Sequence, residues 1–149
     1  MTMDDLPFRM LQLKSDGFCC SQIVLILGLE TQGRGSNNSE LVRAAGGLCF
    51  GLVIGEEACG ALSGGVCLLS LYAGKGTKDE QTDERFLPMA KELNQWFREA
   101  HGAGSVRCND ILAAHQGKGA CGAIVAETFA KVLEILAVHG LDSSKGREG

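Results

Sequence analysis

Residues 121–138 read CGAIVAETFAKVLEILAV, and they carry the clearest structural signal in the chain. Val125, Phe129, Val132 and Leu136 recur at spacings of three and four, which places them on one face of an α-helix. No segment of comparable strength alternates apolar and polar residues as a half-buried strand does. The sequence therefore predicts an all-α fold in which this helix packs its apolar face against other helices.

The same helical pattern recurs along the rest of the chain. Helices are predicted from Asp4 to Gly17, from about Cys19 to Leu29, from Asn38 or Ser39 along a stripe that includes Cys49 and Leu52, from Ala58 to Ala73, from about Pro88 to Gly102, and briefly after Asn109. The length of 149 residues is enough for one hydrophobic core. We expect a single-domain bundle of about five to six helices over residues 1–142, followed by a disordered tail over residues 143–149.

Composition and charge exclude several classes of function. The formal net charge of −4, with Lys and Arg scattered along the chain, argues against a nucleic-acid partner. The acidic start has neither the basic nor the apolar region of a signal peptide, which predicts a cytoplasmic protein. The apolar runs 44–54 and 58–73 are shorter than the roughly 18 residues that span a bilayer, so no membrane insertion is expected.

Four of the seven cysteines are predicted to lie at helix starts. The sequence Ala-Cys-Gly-Ala occurs at Cys59 and again at Cys121, each time before an apolar helix. Cys20 falls in the first turn of the second helix, and Cys108 precedes the capping pair Asn109-Asp110. In a reducing cytosol, structural disulfides are rare, so metal ligation or catalytic thiols are the leading interpretations.

A helix start suits a reactive or metal-binding sulfur for a physical reason. The first N–H groups of a helix have no intrahelical partner and carry partial positive charge, which stabilises a thiolate and lowers its pKa. Gly60 and Gly122 follow Cys59 and Cys121, and the missing side chains leave room beside each sulfur. Either a cluster, a second sulfur or another backbone segment could occupy that space.

The other sulfur and imidazole groups are weaker candidates. Cys49 and Cys67 lie within predicted apolar helices and are interpreted as small core residues, whereas Cys19 has no assigned role. His115 lies between Cys108 and Cys121 and could join a metal site, although a solvated turn histidine is the simpler interpretation. The chain has no C-x-x-C pair, so neither a thioredoxin-type site nor a zinc ribbon is indicated.

From about Met10 to Leu136, the chain resembles the C-GCAxxG-C-C family of redox-active proteins. The resemblance rests on Gly17-Phe18-Cys19-Cys20-Ser21-Gln22, on Leu41-Val42-Arg43-Ala44-Ala45-Gly46-Gly47, on Cys59-Gly60-Ala61-Leu62-Ser63-Gly64-Gly65, on Cys108 and on Cys121. It implies that the four cysteines of the family are Cys20, Cys59, Cys108 and Cys121. A similar domain in split-Soret cytochromes holds an iron–sulfur cluster, but this chain lacks C-x-x-C-H, so haem is not expected.

Three hypotheses about function remain open at this point. In the first, Cys20, Cys59, Cys108 and Cys121, flanked by Gly60 and Gly122, bind an iron–sulfur cluster, and the protein transfers electrons to a partner protein. In the second, two cysteines such as Cys59 and Cys121 cycle between thiols and a disulfide. In the third, the site holds structural zinc, or the domain only mediates protein interactions, for example in a homodimer. An oxidoreductase activity is compatible with the first two, and the sequence does not identify the redox partner.

Overall fold

Seven α-helices form the framework of the protein, which a computed structural model describes for residues 2–35, 38–115 and 117–147. The helices are α1 (Leu6–Ser15), α2 (Cys20–Thr31), α3 (Ser39–Ala45), α4 (Gly60–Ala73), α5 (Phe86–Phe97), α6 (Cys108–Ala114) and α7 (Cys121–Val138). No strand occurs in these residues, so the all-α prediction is confirmed. The expected count of five to six helices was too low, because the two shortest segments, α3 and α6, both form helices of seven residues.

Helix α4 occupies the centre of the bundle and packs against α2, α5 and α7. Close approach of α2 and α4 depends on glycines, as the abundance of small residues suggests. A methyl group added at Gly64 would lie 2.8 Å from the Cα of Ser21, and one added at Gly28 would overlap the side chain of Leu68. These contacts bring the N-terminal ends of α2 and α4, and therefore Cys20 and Cys59, to the same region.

Helices α5 and α7 have the amphipathic faces that their sequences predict. The bounds of α7, Cys121–Val138, agree with the prediction, and Val132 and Leu136 are completely buried. Helix α5 begins at Phe86, slightly before the predicted start, and continues into a π-helical turn over Arg98–Gly102. The long helices therefore form where the apolar spacing is clearest.

The chain after α3 differs from the predicted continuous helix. Helix α3 ends at Ala45, a 3₁₀ turn covers Gly46–Leu48, and Cys49 is extended. The next four residues, Phe50 to Val53, all have positive φ angles between 53° and 73°. Leu52 is 51% exposed, so the apolar stripe predicted through it does not form; the glycines in this segment permit the chain to turn instead.

The end of the chain contacts the bundle over part of the predicted tail. The Tyr72 hydroxyl donates to the carbonyl oxygen of Ser143 over 2.8 Å, and Arg147 donates to the carbonyl oxygen of Ala73 over 2.8 Å. Residues 148 and 149 lie outside the described residues, and the disorder expected for 143–149 stays a prediction. Within the described residues, no helix combines the length and the hydropathy needed to cross a bilayer.

Candidate functional site

The four cysteines selected by their positions in the sequence do lie at helix starts. Cys20, Cys108 and Cys121 are the first residues of α2, α6 and α7. Cys59 directly precedes α4 as its N-cap residue. The sulfurs are therefore held by the first turns of four different helices, where backbone N–H groups have no partner within the helix.

A short antiparallel contact places Cys59 beside Cys108. Ala58 pairs with Arg107, and the flanking hydrogen bonds run from the Cys59 N–H to the Val106 carbonyl oxygen, 2.8 Å, and from the Cys108 N–H to the Glu57 carbonyl oxygen, 2.9 Å. Sequence reasoning missed this bridge, because a single pair of residues has no periodic pattern. It joins the starts of α4 and α6 directly through the backbone.

Gly60 allows Cys20 to lie close to Cys59 and Cys108. A side chain at Gly60 would overlap the Cys20 sulfur and would lie 3.2 Å from the Leu48 carbonyl oxygen. The space left by this glycine is thus filled by a partner sulfur. Gly122 differs, since a methyl group added there would meet no atom of the described residues within 4 Å.

All four of these cysteines line a single cavity of about 750 Å³. Cys19 and Cys49 line it as well, so six of the seven cysteines of the chain surround one space. Its other walls are mostly apolar, with Met10, Phe18 and Ile124 among them. Among the described residues that line it, only Lys14 carries a charge.

The Cys59 sulfur accepts hydrogen bonds from the N–H groups of Ala61 and Leu62 in the first turn of α4. These bonds favour the thiolate, as expected at a helix start, but they are outweighed. Burial, together with the nearby sulfurs of Cys20 and Cys108, raises the pKa of Cys59 to about 12. The expectation of a lowered pKa is therefore wrong for Cys59, because its side chain is shielded from water.

Cys19 and Cys49 form a disulfide, with their Cα atoms 6.0 Å apart. This pairing corrects the interpretation of Cys49 as a core residue within a helix and gives a partner to Cys19. A structural disulfide was not expected, whereas a redox disulfide was one of the hypotheses, although with Cys59 and Cys121 as the example pair. The pairing depends on the early end of α3, which returns the chain across the start of α2.

Cys67 and His115 lie away from the cavity. Cys67 is an exposed free thiol on α4 rather than a core residue. The Nε2 atom of His115 donates to the carbonyl oxygen of His101 over 3.1 Å, so this nitrogen is engaged within the protein. Neither residue lines the cavity, so the described geometry gives no support to a metal-binding role for His115.

In the described residues, no three His, Cys, Asp or Glu side chains form a group that could hold a metal ion. The four thiols nevertheless have the chemistry of an iron–sulfur ligand set, in which Cys₄ is the usual complement. A cluster with two irons is larger than one ion, so its ligands need not converge on one point. Four cysteines are also the ligand set of a structural zinc ion, so the donor set fits either group.

A family model described as "Putative redox-active protein (C_GCAxxG_C_C)" matches residues 18–135. The match begins just before Cys19 and includes every cysteine that lines the cavity. No curated protein and no solved structure matches this chain.

Proposed function

Because the chain belongs to the C_GCAxxG_C_C family of redox-active proteins, we propose that it transfers electrons through an iron–sulfur cluster bound by Cys20, Cys59, Cys108 and Cys121. The observation that carries the proposal is that these four helix-start cysteines line one cavity. A bound cluster would supply one-electron transfer. The protein would then act as an electron carrier or as part of an oxidoreductase.

The protein residues would prepare the sulfurs for binding. The N–H groups of Ala61 and Leu62 point at the Cys59 sulfur and would stabilise its negative charge in the bound state. The apolar walls around Met10 and Phe18 would limit contact with water, which is one of the factors that set a reduction potential. Gly60 holds open the space that the Cys20 sulfur needs.

The ionisation of Cys59 favours metal ligation over thiol exchange at this residue. With a pKa of about 12, Cys59 is almost entirely a neutral thiol at pH 7, and the neutral thiol is a poor nucleophile. A metal displaces the proton on binding, so a raised pKa lowers affinity without preventing ligation. A Cys59–Cys121 exchange pair would therefore need Cys121 as the attacking sulfur.

The test is anaerobic purification from iron-supplied cells, followed by a visible spectrum and an assay of iron, acid-labile sulfide and zinc per chain. We expect a coloured protein with about two iron and two sulfide, as in a two-iron cluster with four cysteine ligands. Cys59→Ser and Cys121→Ser should lose most of both. Cys67→Ser is the matched control, since Cys67 is exposed on α4, and it should keep the full content.

Two results would overturn the proposal of an iron–sulfur cluster. A colourless protein free of metal would exclude it, and stoichiometric zinc without sulfide would make the site structural. Equal loss in Cys67→Ser and Cys59→Ser would show that the variants act through general instability. The identity of the partner protein, the homodimer and the cytoplasmic location stay predictions.

A further inference from the structure

The environment of the Cys19–Cys49 disulfide contains hydrogen-bond partners that only the reduced thiols can use. Cys49 Sγ lies 3.0 Å from the hydroxyl oxygen of Ser21, a residue with no exposed surface. Cys19 Sγ lies 3.4 Å from Oε1 of Gln22. A disulfide sulfur has no proton to donate, whereas a thiol has one.

Both partners are fixed so that they present an acceptor to sulfur. The single hydroxyl proton of Ser21 is donated to the Ala45 carbonyl oxygen over 2.8 Å, which leaves the Ser21 oxygen as an acceptor toward Cys49. The Nε2 group of Gln22 donates to the Val42 carbonyl oxygen over 3.1 Å, which turns Oε1 toward Cys19. The fold therefore contains one acceptor for each thiol of the reduced pair.

We propose that Cys19 and Cys49 are a reversible dithiol–disulfide couple, separate from the four proposed cluster ligands, and that a dithiol reductant is its reaction partner. Ser21 and Gln22 also bond backbone groups in both redox states, the Gln22 Oε1 atom accepting from the Cys19 N–H over 3.2 Å. Their bonds to the sulfurs, however, form only with thiols and would therefore stabilise the reduced pair. Both sulfurs line the open cavity and are half-buried, so an incoming thiolate can reach them. Lys14, the charged residue of that cavity, would attract the thiolate.

The reaction balances with a dithiol as the source of two electrons and two protons. A thiolate of the reductant bonds to Cys19 Sγ, the Cys19–Cys49 bond breaks, and its electron pair goes to Cys49 Sγ. Cys49 takes up a proton and donates it to the Ser21 oxygen in a hydrogen bond. The second thiol of the reductant then attacks its own mixed disulfide, releasing Cys19 as a thiol and leaving the reductant as a disulfide.

The experiment equilibrates the whole protein, without oxygen, with defined ratios of reduced to oxidised dithiothreitol. Acid quenching, alkylation and peptide fragmentation by mass spectrometry then measure the reduced fraction at Cys19 and Cys49. We expect a reversible transition while circular dichroism shows an unchanged helical fold. Reduction that occurs only on unfolding, or a pair that never forms a disulfide, would overturn the proposal.

Ser21→Ala separates a redox role from a structural one. The variant loses its bond to Ala45 in both redox states, but it loses the bond to sulfur only in the reduced state. Half-reduction of Cys19 and Cys49 in this variant should therefore need a higher ratio of reduced to oxidised dithiothreitol. The loss of one net hydrogen bond predicts an increase of roughly two- to tenfold. Gln22→Leu provides a second test on the Cys19 side, with a shift in the same direction, if Ser21→Ala does not fold.

Ser70→Ala is the matched control, because Ser70 is half-buried on α4 but lies outside the residues that line the cavity. Its midpoint should equal that of the unsubstituted protein. Unchanged midpoints in both Ser21→Ala and Gln22→Leu would refute the role of these acceptors and remove the observation from which the reversible couple is inferred. Because the readout is the state of two named sulfurs, it is independent of the iron and sulfide content that tests the cluster.

Discussion

Gly60 and Gly122 occupy equivalent places in the sequence, each after a helix-start cysteine, but their surroundings differ. The Cys20 sulfur fills the space beside Gly60, whereas the space beside Gly122 is open. Gly60→Ala should lower the free energy of unfolding by about 1–3 kcal/mol, since the added methyl group overpacks a buried contact. Gly122→Ala should leave it unchanged or raise it by up to about 1 kcal/mol, because alanine favours a helix.

Urea unfolding of the reduced, metal-free variants, followed by circular dichroism, measures both changes. Equal destabilisation by the two substitutions would contradict the distinction between a filled and an open space. The comparison is matched, because each substitution adds the same methyl group beside a cysteine in the first turn of a helix.

Ionisation of Cys59 predicts how the stability of the reduced, metal-free protein depends on pH. Its pKa is about 12 in the folded state and about 8.5 in an unfolded chain, so folding favours the neutral thiol. The stabilisation is complete below the unfolded pKa and is lost as the pH rises from about 8.5 toward about 12. Between about pH 8 and about pH 10.5, the unsubstituted protein should lose ~2–3 kcal/mol more than Cys59→Ala does.

Denaturant unfolding at several pH values provides this comparison, and other titrating groups contribute to both proteins. Parallel losses of stability in the two proteins would show that Cys59 ionises normally. Such a result would also remove the argument that Cys59 is a weak nucleophile.

At the scale of elements, the left-handed segment from Phe50 to Val53 is the most unusual feature of the fold. Val53 has a φ of 73° and is 64% exposed, so a β-branched residue adopts an unfavourable backbone without being buried. Val53→Gly should therefore raise the free energy of unfolding by about 0.5–1 kcal/mol, after the greater entropy of unfolded glycine is subtracted.

Ile54→Gly is the control for this prediction. Ile54 is 62% exposed but has no positive φ, so glycine should destabilise the protein by about 0.5–1 kcal/mol there. Thermal and urea unfolding should show that the free energy of unfolding rises in Val53→Gly and falls in Ile54→Gly. Destabilisation by both would mean that the segment is not strained in solution.

At the scale of the whole molecule, the disulfide joins the start of α2 to the chain that follows α3. Its sequence separation of 30 residues predicts a stabilisation of about 3–4 kcal/mol, mainly through the entropy of the unfolded chain. The double variant Cys19→Ser, Cys49→Ser should lose this amount under oxidising conditions and little under reducing ones. Cys67→Ser should have the stability of the unsubstituted protein under both oxidising and reducing conditions. A double variant whose stability is unchanged under oxidising conditions would argue against the disulfide.

The sequence by itself determined the all-α class, the bounds of α7 and the helix-start positions of Cys20, Cys59, Cys108 and Cys121. Each is a local property: apolar spacing sets a helix face, and capping residues and glycines set where a helix begins and ends. Family membership could also be inferred from the sequence, since the motif around Cys59 is contiguous in the chain.

Only the tertiary structure decided which sulfurs meet and how they ionise. The Cys19–Cys49 disulfide, the Ala58–Arg107 bridge and the contact of Cys20 with Gly60 join residues that are distant in the chain. Likewise, the pKa of Cys59 follows from burial, which depends on how the helices pack, and burial outweighs the local helix-start effect. Long-range packing leaves no periodic pattern in the sequence, which is why the redox chemistry proposed here depends on the fold.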